Sequence, residues 1–251
     1  MTPRAPTRRR QASPSHSEGH AGNRALQATM LTAVEAERAH AYDLLGRRDD
    51  GLARLIAGHG RPDPFSWEVL DDTVDGDAFS ELALHIVSQQ ISTLAALAIY
   101  TRVRALLGGG LEPARLVLTP IEDLRAAGLS NAKARSLRDL AERVADGRLS
   151  FDELARADDE TAEAELRAVL GVGPWSAQMF LLHYYRRPDI LPTADVGLLR
   201  AAQSAFTLPA RPTAEELGTR GERWRPFRSY AASLLWAHGR NLASPRRGDT
   251  R

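Results

Sequence analysis

Two short stretches of this chain hold residue types that can do chemistry. The first is Leu170-Gly171-Val172-Gly173, which separates two runs of helical periodicity. Two glycines around one apolar residue allow a turn with positive φ and a backbone free of Cβ atoms. The following helix begins at about Pro174 or Trp175, and its first N–H groups have no partner within the helix. Those amides and the helix dipole form a seat for one phosphate oxygen, with Val172 turned inward to pin the turn. The second stretch centres on Asp195, 22 positions beyond Gly173, which heads a helical run holding Leu198, Leu199, Ala202 and Phe206. Asp at such a place is an N-cap, and most residues of this kind are only that. A carboxylate that accepts backbone N–H bonds stays ionised. It is then a poor base but a good partner for positive charge developing beside it.

The elements that must position these groups read as helices. From about Leu31 to Gly239 the apolar periodicity is helical, and alternating β runs are scarce, which predicts an all-α chain. Residues 79–107 form a long apolar stretch with Leu82, Ile86, Ile91, Leu94, Leu97, Ile99 and Val103, broken once near Ser88 to Ser92. Thr119-Pro120-Ile121-Glu122 reads as a capping box with Pro at the first helical position, so a helix begins there. Ser150 to Glu153 and Thr213 to Glu216 repeat that signature. Breaks fall at Gly108-Gly109-Gly110, Gly128, Gly147 and the Pro188–Pro192 segment. Residues 1–29, with Arg8, Arg9 and Arg10 followed by Ser and Pro, have the composition of a disordered basic tail, and 241–251 read as a second tail.

Composition bounds the rest. With 251 residues the chain can bury a substantial core, as one domain or as two intimately packed subdomains. There is no cysteine, which excludes disulfides, a Cys-ligated iron–sulfur cluster and a zinc ribbon. The seven His are scattered, with no pair at metal-ligand spacing beside carboxylates, so neither a metal nor another cofactor is expected. No apolar run approaches the ~18 to 20 residues of a membrane span, and no secretory h-region stands near the start. The expectation is a monomer in the cytoplasm (with the nucleoid, if bacterial) and no membrane partner. A net charge of +1 neither supports nor opposes a nucleic-acid partner.

The turn between two helices, with Leu170 before it and Ala177 placed for close packing after it, resembles the helix-hairpin-helix motif of DNA glycosylases. Together with the downstream Asp195 it is similar to the 3-methyladenine, or alkyladenine, DNA glycosylase II family. The resemblance covers roughly Leu55 to Gly239. Its further segments are Ile86-Val87-Ser88-Gln89-Gln90-Ile91-Ser92, Leu191 to Leu198, and Trp224-Arg225-Pro226-Phe227-Arg228-Ser229-Tyr230-Ala231. It implies the all-α glycosylase fold, with two helical subdomains flanking a cleft. Residues 78–187 make the central, hairpin-bearing subdomain, and 30–77 plus 188–240 make the terminal one. Longer family members begin with a β-rich domain; with only about fifty ordered residues expected ahead of Phe79, the short, two-subdomain form is the expectation.

What the resemblance implies for function is excision of alkylated, cationic purines from double-stranded DNA by base flipping, within base excision repair. Asp195 becomes the catalytic carboxylate, facing the oxocarbenium-like sugar. Gly171, Val172, Gly173, Trp175 and Ser176 make the phosphate-binding hairpin. Trp175, Trp236, Met179 and Val196 make the base pocket, where Trp175 stacks on the cationic base, and Gln90 is the wedge that fills the gap. Lys133 is a candidate phosphate contact, the alternative being an exposed helical lysine. Arg228 pairs with a buried carboxylate near the cleft. Bifunctional relatives carry a Schiff-base Lys where Trp175 stands, so base removal without strand cleavage is expected. Two alternatives remain at this level: a non-catalytic lesion-binding protein of the same fold, and a plain helical interaction module.

Overall fold

The structure is a computed structural model that describes the backbone of residues 17–66 and 76–243, and the side chains of 32–66 and 76–242. Residues 1–16 and 244–251 of the expected tails, and residues 67–75, lie outside the described residues. Two compact units divide the chain, Met1–His40 and Ala41–Arg251. The first contributes the start of helix α1 (Ser17–Arg48), so from Ser17 onward the stretch read as a tail is helical. The second carries every feature described below.

Among the described residues there are thirteen α-helices, one 3-10 turn and no strand. After α1 come α2 (Asp50–His59), α3 (Ala78–Ser88), α4 (Thr93–Leu106), α5 (Pro113–Leu118), α6 (Ile121–Ala126) and α7 (Asn131–Ala145). Then follow α8 (Phe151–Arg156), α9 (Asp159–Arg167), α10 (Pro174–His183), α11 (Val196–Ala205), α12 (Ala214–Gly221), the 3-10 turn Glu222–Trp224 and α13 (Arg228–Ala243). The break expected near Ser88 to Ser92 separates α3 from α4, and the Ser92 hydroxyl caps α4 by accepting from the Ala95 N–H.

The three capping signatures behave differently. Thr213 and Glu216 form the full reciprocal box at α12, and the Ser150 hydroxyl accepts from the Glu153 N–H at α8. At Thr119 the box does not form. Helix α6 starts at Ile121 with Pro120 as its N-cap and no side-chain cap. The helix starts one residue later than the box requires, which leaves Thr119 ahead of the N-cap position, and its hydroxyl donates instead to the Arg115 carbonyl at the end of α5.

Apolar side chains gather into two cores. One is built from α3 to α10, around Leu82, Ile86, Tyr100, Leu124, Leu137, Leu166 and Phe180. The other joins the end of α1, α2, α11, α12 and α13, around Tyr42, Leu45, Leu52, Leu198, Leu217, Trp224 and Leu235. Trp236 and Phe65 pack against both. Where the chain passes from one core to the other, Asp189 accepts from Arg228 at 2.8 Å and from Arg225 at 2.7 Å. The Asp189 side chain is largely buried, so these bonds replace the water it has lost. The Ser229 hydroxyl accepts from the Ile190 N–H and donates to the Arg187 carbonyl, which locks the same crossing.

Candidate active site

The turn between α9 and α10 takes its shape from two different glycines. Gly171 has φ +80°, and a Cβ there would stand 2.5 Å from the Ser136 Oγ of α7. Only glycine meets both demands without strain. Gly173 has φ −86°, an ordinary value, and a Cβ on it would meet nothing within 4 Å. Here the sequence expectation of two permissive glycines divides: Gly171 is required by the fold, and Gly173 leaves an open approach to the backbone. Val172 is buried and anchors the turn in the first core, as expected.

Gly173 is the N-cap of α10 and supplies no side chain to its end. Pro174 has no N–H, so the amides of Trp175 and Ser176 are the helix's free donors, without a partner among the described residues. The turn itself is held from below. Asp139 of α7 accepts from the Leu170 N–H at 2.7 Å, and the Gln89 Nε2 donates to the Gly171 carbonyl at 3.0 Å and to the Ser176 Oγ at 3.2 Å. The Ser176 hydroxyl accepts from Gln89 and its side chain is buried, while its amide stays at the free end of the helix.

Gln89 was missed as a site residue. It ties the α3–α4 turn to the hairpin across 82 positions of sequence, and nothing local in Ser88-Gln89-Gln90 announces that contact. Gln90, the next residue, is exposed and adopts φ +59°. A non-glycine residue in this region is held there by its surroundings. Lys133 supplies part of that hold, because its ammonium donates to the Val87 carbonyl at 2.8 Å and to the Gln89 carbonyl at 2.7 Å. The sequence offered Lys133 as a phosphate contact or an exposed helical lysine; its side chain is half-buried, with the ammonium on these two carbonyls. It caps the C-terminus of α3, where a cation satisfies carbonyls that lack helical donors. Burial lowers its pKa from the ordinary lysine value.

Asp195 is the N-cap of α11, and its Oδ1 accepts from the Leu198 N–H at 2.7 Å. Its Oδ2 accepts from the Trp175 indole N–H at 2.9 Å. The carboxylate is half-buried, fixed by one donor from each core, and its indole partner lies two positions beyond Gly173. The uncapped end of α10 and the carboxylate are thus linked through one indole, although they lie far apart in sequence.

The four residues expected to line a base pocket are placed unevenly. Trp175 is 37% exposed and Val196 51%, both open beside Asp195. Met179 is 6% exposed, so it can floor a pocket but not wall one. Trp236 is half-buried and lines a groove with Gly197, the second residue after Asp195. Among the described residues no group of three or more His, Cys, Asp or Glu could hold a metal ion, and no helix is long and apolar enough to cross a membrane.

A family model described as HhH-GPD superfamily base excision DNA repair protein matches residues 84–226. The chain is 33% identical over 125 residues to YfjP of Bacillus subtilis, a protein named provisionally as a DNA-3-methyladenine glycosylase. That match takes in 50% of this chain and 44% of YfjP, so the chain spans less than half the length of that relative. Among solved structures, a Bacillus halodurans DNA-3-methyladenine glycosidase is 34% identical with a TM-score of 0.64, covering 78% of this chain and 91% of the other. The Schizosaccharomyces pombe 3-methyladenine DNA glycosylase Mag1, in complex with abasic DNA, is 27% identical with a TM-score of 0.66, covering 78% and 95%.

Proposed function

The chain belongs to the HhH-GPD superfamily of base excision DNA repair proteins, and we propose that it is a monofunctional DNA glycosylase acting on alkylated purines. The observation that carries this reading is the bond between the Trp175 indole and Asp195. It joins the uncapped end of α10, suited to a phosphate, to an ionisable carboxylate fixed at the head of α11.

In this reading the Trp175 and Ser176 amides hold a phosphate of the damaged strand, which fixes the register of the protein on DNA without reading sequence. The damaged nucleoside turns out of the stack toward Asp195, while Gln90 enters the gap. As the N-glycosidic bond stretches, its electron pair leaves with the base and positive charge grows on the sugar. The Asp195 carboxylate stabilises that charge and directs a water to C1′. An alkylated purine is already cationic, so it leaves without a general acid. The exposed indole face of Trp175 favours such a base by a cation–π contribution of ~0.5 to 2 kcal/mol. Val196 and Trp236 complete the pocket, with Met179 beneath.

Lyase activity needs an amine that attacks C1′ and forms a Schiff base. The position that would carry it holds Trp175, flanked by Pro174 and Ser176. Base release without strand cleavage follows. The test is incubation of the protein with methylated DNA, identification of the released bases, and a gel run before and after alkali. Free methylated purine with strands cut only after alkali is the expected result. Tight binding with no release would leave a lesion-binding protein of the same fold. Residues 78–187 on one side, and 30–77 with 188–240 on the other, are proposed as the two subdomains that grip the duplex.

A further inference from the structure

Two histidines 179 positions apart in sequence face each other where α2 ends beside α13, and neither belongs to the residues assigned above. His59 is the last residue of α2, and His238 lies in the second half of α13. The His59 Nε2 stands 3.1 Å from the His238 Nδ1. The other nitrogen of each ring is engaged as well. The His238 Nε2 lies 3.0 Å from the Ser204 Oγ of α11, and the His59 Nδ1 lies 3.0 Å from the Asn241 side-chain amide. Both histidines are only partly buried, so solvent reaches the pair.

This geometry suits a cation shared by two imidazoles. A neutral ring nitrogen binds late first-row divalent ions such as zinc at ~2.0 to 2.1 Å. Two such bonds meeting at ~100° put their nitrogens ~3.1 Å apart. The two helices already impose that separation. A ligating histidine also donates its outer N–H to an oxygen, which fixes the ring and its tautomer. Ser204 offers that oxygen to His238. Asn241 offers it to His59 once the amide turns its oxygen toward the ring, and the His59 proton then sits on Nδ1. Each ring keeps one proton throughout, so both facing nitrogens become free to bind without any proton gained or lost.

We propose that His59 and His238 form a surface site for a divalent cation of the zinc type, with Ser204 and Asn241 orienting the rings and water completing the coordination. The proposal does not rest on the glycosylase reading. Its ligands come from α2 and α13, so the bound ion is a cross-link between helices of the second core rather than a reaction centre. His238 lies two residues beyond Trp236, about 200° round the helix at ~100° per residue. The site therefore occupies a different side of α13 from the tryptophan. No spacing within one helix announces the pair, which is why the sequence pointed to no metal.

The experiment is thermal unfolding of the full chain with zinc chloride, against magnesium chloride as the control, with equilibrium dialysis to count bound zinc. A ligand that binds only the folded chain raises the melting temperature. Zinc at ten times its dissociation constant should raise it by about 3 to 5 °C. Magnesium, which prefers oxygen ligands, should not. Dialysis should find one zinc fewer per chain in His59→Gln and in His238→Gln than in the wild type. Each variant is compared with its own value before zinc is added, so loss of the bond between the rings does not imitate loss of the ion. Ser204→Ala keeps both ligands and removes one orienting oxygen, so its zinc affinity should fall about tenfold. His40→Gln, on α1, should bind zinc as the wild type does. The proposal is overturned if zinc shifts nothing in the wild type, if magnesium shifts it equally, or if both histidine variants keep the wild-type shift and stoichiometry. In the last case the pair is a hydrogen-bonded link between α2 and α13 and nothing more.

Discussion

Asp195→Asn tests the mechanism and the geometry together. The wild-type carboxylate has two acceptor atoms for two donors, the Leu198 N–H at 2.7 Å and the Trp175 indole N–H at 2.9 Å. An asparagine has one acceptor oxygen. If that oxygen keeps the helix cap, where Asn serves as well as Asp, the amide NH2 faces the indole N–H donor to donor. One donor loses its partner, at a cost of ~1 kcal/mol because the site is half-exposed and water can enter. For a chain of this length that lowers the melting temperature by about 2 to 4 °C. The rate should fall far more. Removing one preorganised electrostatic stabiliser costs on the order of 10²- to 10³-fold, and here a full charge facing the oxocarbenium is lost. Single-turnover release of 7-methylguanine from methylated duplex, with protein in excess, measures that step without product release. Trp175→Phe keeps an aromatic face and removes the donor, so it should slow release by only about fivefold, or ~1 kcal/mol. In the double variant the donor clash is gone. The stability cost of Asp195→Asn should therefore shrink by about 1 kcal/mol in the Trp175→Phe background. Turnover of Asp195→Asn within threefold of the wild type would refute the assigned mechanism. Additive stability costs would refute the donor clash.

The two hairpin glycines should respond in opposite ways. Gly171→Ala meets both a positive φ and the Ser136 hydroxyl, so unfolding by urea should show a loss of about 1 to 3 kcal/mol. Gly173→Ala should leave stability within about 0.5 kcal/mol while weakening DNA binding, since its Cβ enters the open approach to the amides. Gln89→Ala removes both bonds from the α3–α4 turn to the hairpin. It should lower affinity for abasic DNA more than it changes the melting temperature, and Gln89→Asn, one methylene short, should not restore it. Burial holds His85 down to about 4, and burial with the nearby His85 holds His183 down to about 3. Both pKa values are depressed on folding, so below about pH 6.5 the unfolded chain binds protons that the folded one does not. Stability then falls as pH drops from about 6.5 toward 4, at up to ~1.4 kcal/mol per pH unit for each group. A melting temperature unchanged between pH 7 and pH 4.5 would contradict this.

The all-α class, the α3–α4 break, the α12 capping box and the hairpin between α9 and α10 follow from local rules, and the sequence by itself determined them. Helical periodicity, capping chemistry and the conformational freedom of glycine act over a few residues, so a linear reading reaches them. The cap role of Asp195 is local in the same sense. What only the tertiary structure decided is every relation that spans the chain. Thr119 has capping chemistry, yet its hydroxyl serves α5 because that helix end lies beside it. Lys133 is a basic residue in the first turn of α7, and only packing sets its ammonium on the carbonyls at the end of α3. Gln89 reaches the hairpin, and the Trp175 indole reaches Asp195, only after separate helices have packed. The reason is that a hydrogen bond between distant residues depends on where two elements stop in space, and no spacing in the sequence encodes that distance. Residue type sets what a side chain can do, and the packed neighbour sets which of those things it does.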